Sequence, residues 1–287
     1  MFSFSKIFDK IKVMLKKSPI GVFDSGFGGL EVFREIVKLL PEYDYIYLGD
    51  TARAPYGAQE QTEIYKFTKQ AVDFLFKRDC PLIILACNTA SSEALRKIQQ
   101  KYLIKHYPDR RVLGVVIPTA ESVAELTKNK KIGVMATQGT VISESFIREL
   151  KKIDEDIEVY QKACPLLVPL IETGRENSKE IELALQQYLK SLIKKDIDTL
   201  ILGCTHYGLL EDKIKEIMPL TVGVVSEGKI VAEKLKNYLK RHTEIEERIS
   251  QNASMEFLTT GFVEKFEKFG SRFLNSKFKA QGVDIKP

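Results

Sequence analysis

Between Ile20 and Arg241 a short apolar run, a turn of glycine or hydroxyl residues and an amphipathic helix follow one another eight times, and no other feature constrains the fold as much. The spacing predicts strands over 20–23, 45–48, 82–86, 112–116, 132–135, 157–160, 199–202 and 221–225. It predicts helices over 29–39, 59–77, 90–104, 119–128, 141–151, 177–194, 208–217 and 227–241. Strands separated by helices are joined by crossovers, so the expected class is α/β with mostly parallel sheets. Ligands bind such sheets at the carboxyl ends of the strands.

A chain of 287 residues suffices for two ordinary α/β domains, and a weak repeat supports that division. Ile20-Gly21-Val22 and Ile132-Gly133-Val134 each open a strand; 66 positions then separate Gly21 from Cys87, and 71 separate Gly133 from Cys204. We expect two similar doubly wound domains, with 19–115 plus 226–287 forming the first and 116–225 the second, and an active site in the cleft between them. Residues 1–18 form a basic extension with five lysines against one aspartate, and with Phe2, Phe4, Ile7, Phe8, Ile11, Met14 and Leu15 near helical spacing. Two readings stand: a helix packed on the body, or a basic amphipathic helix that associates with a surface or regulates. A signal peptide fits poorly, for want of a compact apolar core and a small-residue cleavage site.

Most of the net charge of +5 lies in that extension, which leaves the remainder nearly neutral and argues against nucleic-acid binding. No apolar stretch is long enough for a membrane span. Cys80, Cys87, Cys164 and Cys204 are widely spread, without a CxxC pair; free thiols in a reducing cytoplasm fit better than disulfides or a zinc site, and no metal is expected.

Two of these cysteines end apolar runs in matched settings, Leu-Ile-Ile-Leu-Ala-Cys87-Asn88-Thr89 and Thr-Leu-Ile-Leu-Gly-Cys204-Thr205-His206. Each stands where a strand becomes a helix, where backbone N–H groups and the helix dipole favour a thiolate. The same N–H groups, with Asn88, Thr89 and Thr205, suit a carboxylate. His206 is placed to hold or receive a proton beside Cys204. Asp24 and Ser25 enter a glycine-rich turn that lacks a nucleotide-binding pattern; they point into a small-ligand site, or Asp24 caps the next helix. Cys80 and Cys164 each precede a proline and read as structural, while His106 and His242 read as surface residues.

Asp24-Ser25-Gly26, Gly49-Asp50-Thr51-Ala52-Arg53-Ala54-Pro55-Tyr56-Gly57, Ala86-Cys87-Asn88-Thr89-Ala90-Ser91 and Gly203-Cys204-Thr205-His206-Tyr207 together resemble the glutamate racemases. Ile132 through Thr140 and Ala163-Cys164-Pro165-Leu166 through Glu172-Thr173-Gly174 add to the match, which runs from about Pro19 to Glu227. The resemblance implies a cofactor-independent enzyme that interconverts L- and D-glutamate for peptidoglycan synthesis, cytoplasmic and homodimeric. By the same resemblance Cys87 and Cys204 are the acid/base thiols, with Asp50, Glu172 and His206 as auxiliary groups. Asp24, Ser25, Tyr56, Gly57, Asn88, Thr89, Thr205 and His206 line the glutamate site.

The chemistry explains the pairing. One fixed base returns a proton to the face it came from, so inversion at Cα needs two groups, one thiolate and one thiol. Three alternatives remain in view: an aspartate or other amino-acid racemase, a glutamate-binding regulatory protein, and a cysteine hydrolase. The last two leave one or both matched thiols without a purpose.

Overall fold

A computed structural model describes residues 17–285. The expected helix of the N-terminal extension therefore falls almost wholly outside the described residues. Among the described residues ten strands form two sheets, and every pairing between these strands is parallel. The first sheet has the order β10-β9-β2-β1-β3-β4, from strands β1 (Ile20–Asp24), β2 (Tyr45–Gly49), β3 (Leu82–Leu85), β4 (Arg111–Gly114), β9 (Met255–Thr259) and β10 (Gln281–Gly282). The second has the order β6-β5-β7-β8, from β5 (Lys131–Ala136), β6 (Glu158–Ala163), β7 (Thr199–Gly203) and β8 (Gly223–Val225). The inner order β2-β1-β3-β4 is thus the order β6-β5-β7-β8 over again, which is the likeness that the glycine-to-cysteine spacings predict.

The central strands are buried on both faces, which is why they read as continuous apolar runs rather than alternating ones. Ile20 and Val22 face one hydrophobic cluster while Phe23 faces another, the period of two expected of a strand. The first of these clusters also takes in Leu200, Leu202 and Tyr207 of the second sheet's half, so one core continues across both. Helix Gly228–Arg241 lies against helix Gly29–Leu39 there.

Local differences from the expected elements have identifiable causes. The helix expected over 141–151 divides into Gln138–Ile142 and Ser145–Ile153, because Glu144 adopts a left-handed backbone (φ 51°). The helix expected over 208–217 begins as a tight 3₁₀ turn, Thr205–Leu210, before Glu211–Ile217. β9 and β10 have no counterpart among the expected strands. No helix among the described residues is long and apolar enough to cross a membrane.

Candidate active site

Cys87 lies two residues beyond β3 and Ser25 one residue beyond its neighbour β1; Cys204 lies one residue beyond β7 and Thr137 one beyond its neighbour β5. These strand ends meet at a cavity of about 90 Å³. Of the residues expected from the sequence, Ser25, Tyr56, Gly57, Cys87, Asn88, Thr89, Glu172, Cys204, Thr205 and His206 line it, and Asp24 and Asp50 do not.

The two thiols differ more than their sequence settings imply. Cys87 caps helix Asn88–Glu93, its sulfur accepting from the Ala90 N–H at 3.5 Å and lying 3.3 Å from the Ser25 hydroxyl. Burial nevertheless pushes the Cys87 thiol up to about 12, with the Asp24 carboxylate adding to the effect, against the hydrogen bonds from Ser25 and Ala90. Desolvation therefore outweighs the expected helix-terminus effect. Cys204 precedes the 3₁₀ turn and makes no capping bond. Its sulfur lies 3.7 Å from His206 Nδ1, and His206 Nε2 lies 3.1 Å from Glu172 Oε1. Burial opposes the charge on His206, but the hydrogen bonds to Cys204 and Glu172 prevail and raise it to about 10. The imidazolium then donates from both nitrogens, one N–H toward sulfur and one toward carboxylate.

Asp24 and Asp50 stand behind the lining. Asp24 is fully buried and its Oδ2 accepts from the Gly26 N–H at 2.7 Å; helix Gly29–Leu39 begins after Gly28 without a side-chain cap, so Asp24 is not its capping residue. Burial raises its carboxyl, partly offset by His206, and Oδ1 has no partner. Asp50 accepts from Tyr56 Oη at 2.5 Å, Arg53 Nε at 2.7 Å and Thr260 Oγ1 at 2.7 Å. It holds the loop that brings Tyr56 and Gly57 to the cavity.

Thr137, Gln138 and Cys164 also line the cavity and were not singled out as site residues. The signal for Thr137 was its place after β5, equivalent to that of Ser25 after β1. Thr137 Oγ1 lies 2.9 Å from Thr89 Oγ1, the first of three contacts in a polar seam. Ser145 Oγ meets Ser92 Oγ at 2.8 Å, and Arg96 donates to Glu149 at 2.5 Å. The seam joins the segment after β3 to the segment after β5, with its Thr89–Thr137 end at the cavity.

Comparison with known proteins bears on family and fold. Residues 20–235 match the family model described as Asp/Glu/Hydantoin racemase. A glutamate racemase of Sulfurihydrogenibium sp. is 46% identical over 220 residues, 76% of this chain and 82% of that protein. Among solved structures, the glutamate racemase isoform RacE1 from Bacillus anthracis superposes with a TM-score of 0.86 at 36% identity, over 94% of this chain and 98% of that one. The glutamate racemase from Francisella tularensis, in complex with D-glutamate, gives 0.84 at 33% identity, again over 94% and 98%.

Proposed function

The chain belongs to the Asp/Glu/hydantoin racemase family, among its glutamate racemases, and from that premise we propose that it inverts Cα of glutamate through the two thiols Cys87 and Cys204. The observation that supports the mechanism is that both thiols line one cavity, each with its own polar partner. Burial favours the protonated Cys87 thiol, while Cys204 faces an N–H of the His206 ring. The pair thus starts as one proton donor and one group positioned to act as base. Cys204 sulfur takes the Cα proton, the Cys87 thiol delivers its own proton to the opposite face, and the reverse reaction exchanges the roles.

Glu172 keeps His206 oriented and charged, and Ser25 steadies the Cys87 sulfur. Negative charge growing on the α-carboxylate is met by backbone N–H groups at the starts of helix Asn88–Glu93 and of the Thr205–Leu210 turn, with the hydroxyls of Thr89 and Thr205. No cofactor takes part in this reading. Glutamate as substrate is supported by the D-glutamate in the Francisella relative. The product D-glutamate then serves peptidoglycan synthesis, and the enzyme is a cytoplasmic homodimer.

Incubation with L-glutamate in D₂O without added cofactor tests the mechanism. We expect deuterium at Cα together with D-glutamate, and loss of racemisation in both directions in Cys87→Ala and Cys204→Ala. Normal turnover by either variant would sink the two-thiol reading, and turnover of aspartate in place of glutamate would move the substrate assignment.

A further inference from the structure

A strand at the edge of a sheet carries a row of unpaired backbone groups, and proteins keep such edges short or covered. Three of the four edges in this fold conform. β10 has two residues and β8 three, and on β4 the Gln99 amide donates to the Val112 carbonyl at 2.8 Å. β6 does not conform: Glu158–Ala163 is six residues long, with Glu158 exposed and the other five half-buried.

Two hydrogen bonds show which way its backbone groups turn. The Glu158 N–H donates to Lys130 O at 2.8 Å and the Cys164 N–H to Ala136 O at 2.9 Å, so Glu158, Tyr160 and Lys162 direct their backbone groups toward β5. Val159 and Gln161 direct theirs away from the sheet, where among the described residues nothing bonds them. The side chains of Glu158, Tyr160 and Lys162 share one face, on which the Tyr160 hydroxyl donates to the Glu158 carboxylate.

Glu158 and Lys162 stand two residues to either side of Tyr160, and this makes the strand complementary to itself. A two-fold axis through Tyr160 pairs β6 antiparallel with a second β6. Val159 and Gln161 then exchange hydrogen bonds with the partner's Gln161 and the partner's Val159, and Tyr160 meets its own equivalent. Glu158 falls opposite the partner's Lys162, and Lys162 opposite the partner's Glu158, which gives two attractive cross-strand pairs. Moving the axis by one residue in either direction sets Tyr160 against a charge and ends the pairing of opposite charges within the strand. Beside the strand, the Val141 carbonyl accepts from Gln161 Nε2 at 3.3 Å, and the next residue, Ile142, is 58% exposed and adds apolar surface.

We propose that β6 is the face by which two copies of this chain join, so that their second sheets continue into one sheet of eight strands. This pairing rests on the homodimeric reading of the enzyme and gives that dimer its face. Light scattering from the full chain over a range of concentrations gives the mass and the dimer dissociation constant. We expect Glu158→Lys and Lys162→Glu, each alone, to weaken dimerisation about tenfold or more, since each turns two attractions into two repulsions. An equimolar mixture of the two variants should regain dimers of near wild-type strength, because each supplies the charge that the other has lost. Tyr160→Cys should link two copies on mild oxidation, since facing residues at such a position have Cα atoms about 4.5 Å apart, within disulfide range. The four native cysteines are free and buried, so wild type treated alike should stay unlinked.

Four results overturn the pairing: a monomeric wild type, single variants that dimerise as tightly as wild type, a mixture no tighter than its components, or Tyr160→Cys chains that stay unlinked. The first would remove the homodimer as well, while the other three would remove this face alone. Racemase turnover measured on the same samples reports on the two-thiol site independently.

Discussion

A Cβ on Gly28 would stand 2.5 Å from Thr205 Oγ1 and 2.6 Å from His206 Nδ1, so the turn after β1 supports the second half's site residues by leaving room for them. His206 is then held between sulfur and carboxylate with its charge favoured, raised from 6.5 to about 10. A raised value means that its contribution to stability is complete below the ordinary histidine value and is lost as pH climbs through the folded one. The melting-temperature gap between wild type and His206→Gln should therefore be widest at about pH 6 and narrow toward about pH 10. A gap that widens over that range would show that His206 is buried neutral. At this scale much was legible in the sequence: the matched settings of Cys87 and Cys204, and the neighbours that follow them, do meet at one cavity. What the sequence could not convey was asymmetry. His206 beside Cys204 could be read locally, but the burial of Cys87 against Asp24 and the Glu172 carboxylate that completes the His206 bridge come from residues far apart in the chain.

Most of the elements were legible too, since strands buried on both faces and helices with one apolar side carry their periods openly. β9 did not show itself, because Met255-Glu256-Phe257-Leu258-Thr259 mixes charge with apolar residues and its place beside β2 is fixed from outside. Asp44, just before β2, accepts from the Asn252 N–H at 3.0 Å, Asn252 Nδ2 at 2.6 Å, the Ser254 N–H at 2.9 Å and Ser254 Oγ at 2.7 Å. One carboxylate thereby sets the register of a strand two hundred residues later. Replacing it by Asp44→Ala removes the charged acceptor of four part-buried hydrogen bonds and should cost about 1–3 kcal/mol in urea unfolding, with faster amide exchange along β9 than along β3. Equal protection of the two strands would mean that β9 is held by its apolar residues alone. The divided helix at Glu144 escaped for a related reason: a single left-handed residue leaves no mark on the hydrophobic period.

For the molecule as a whole, the polar seam Thr89–Thr137, Ser92–Ser145 and Arg96–Glu149 is made of contacts that water can replace, unlike the apolar core shared by the sheets. Thr89 and Thr137, at one end of the seam, line the cavity, so a seam that parts would widen it on that side. With Oγ atoms 2.8 Å apart, Ser92→Cys combined with Ser145→Cys should form a disulfide on mild oxidation. Turnover should then stop and return with dithiothreitol, while wild type treated alike keeps its activity. Full turnover with the cross-link verified by mass spectrometry would place the entrance elsewhere. The repeated strand order has a consequence of another kind. Two sheets of one strand order each bring a thiol to the same cavity, and each thiol arrives with different polar partners. Repetition supplies the two positions, and the unlike neighbours Ser25 and His206 make them different.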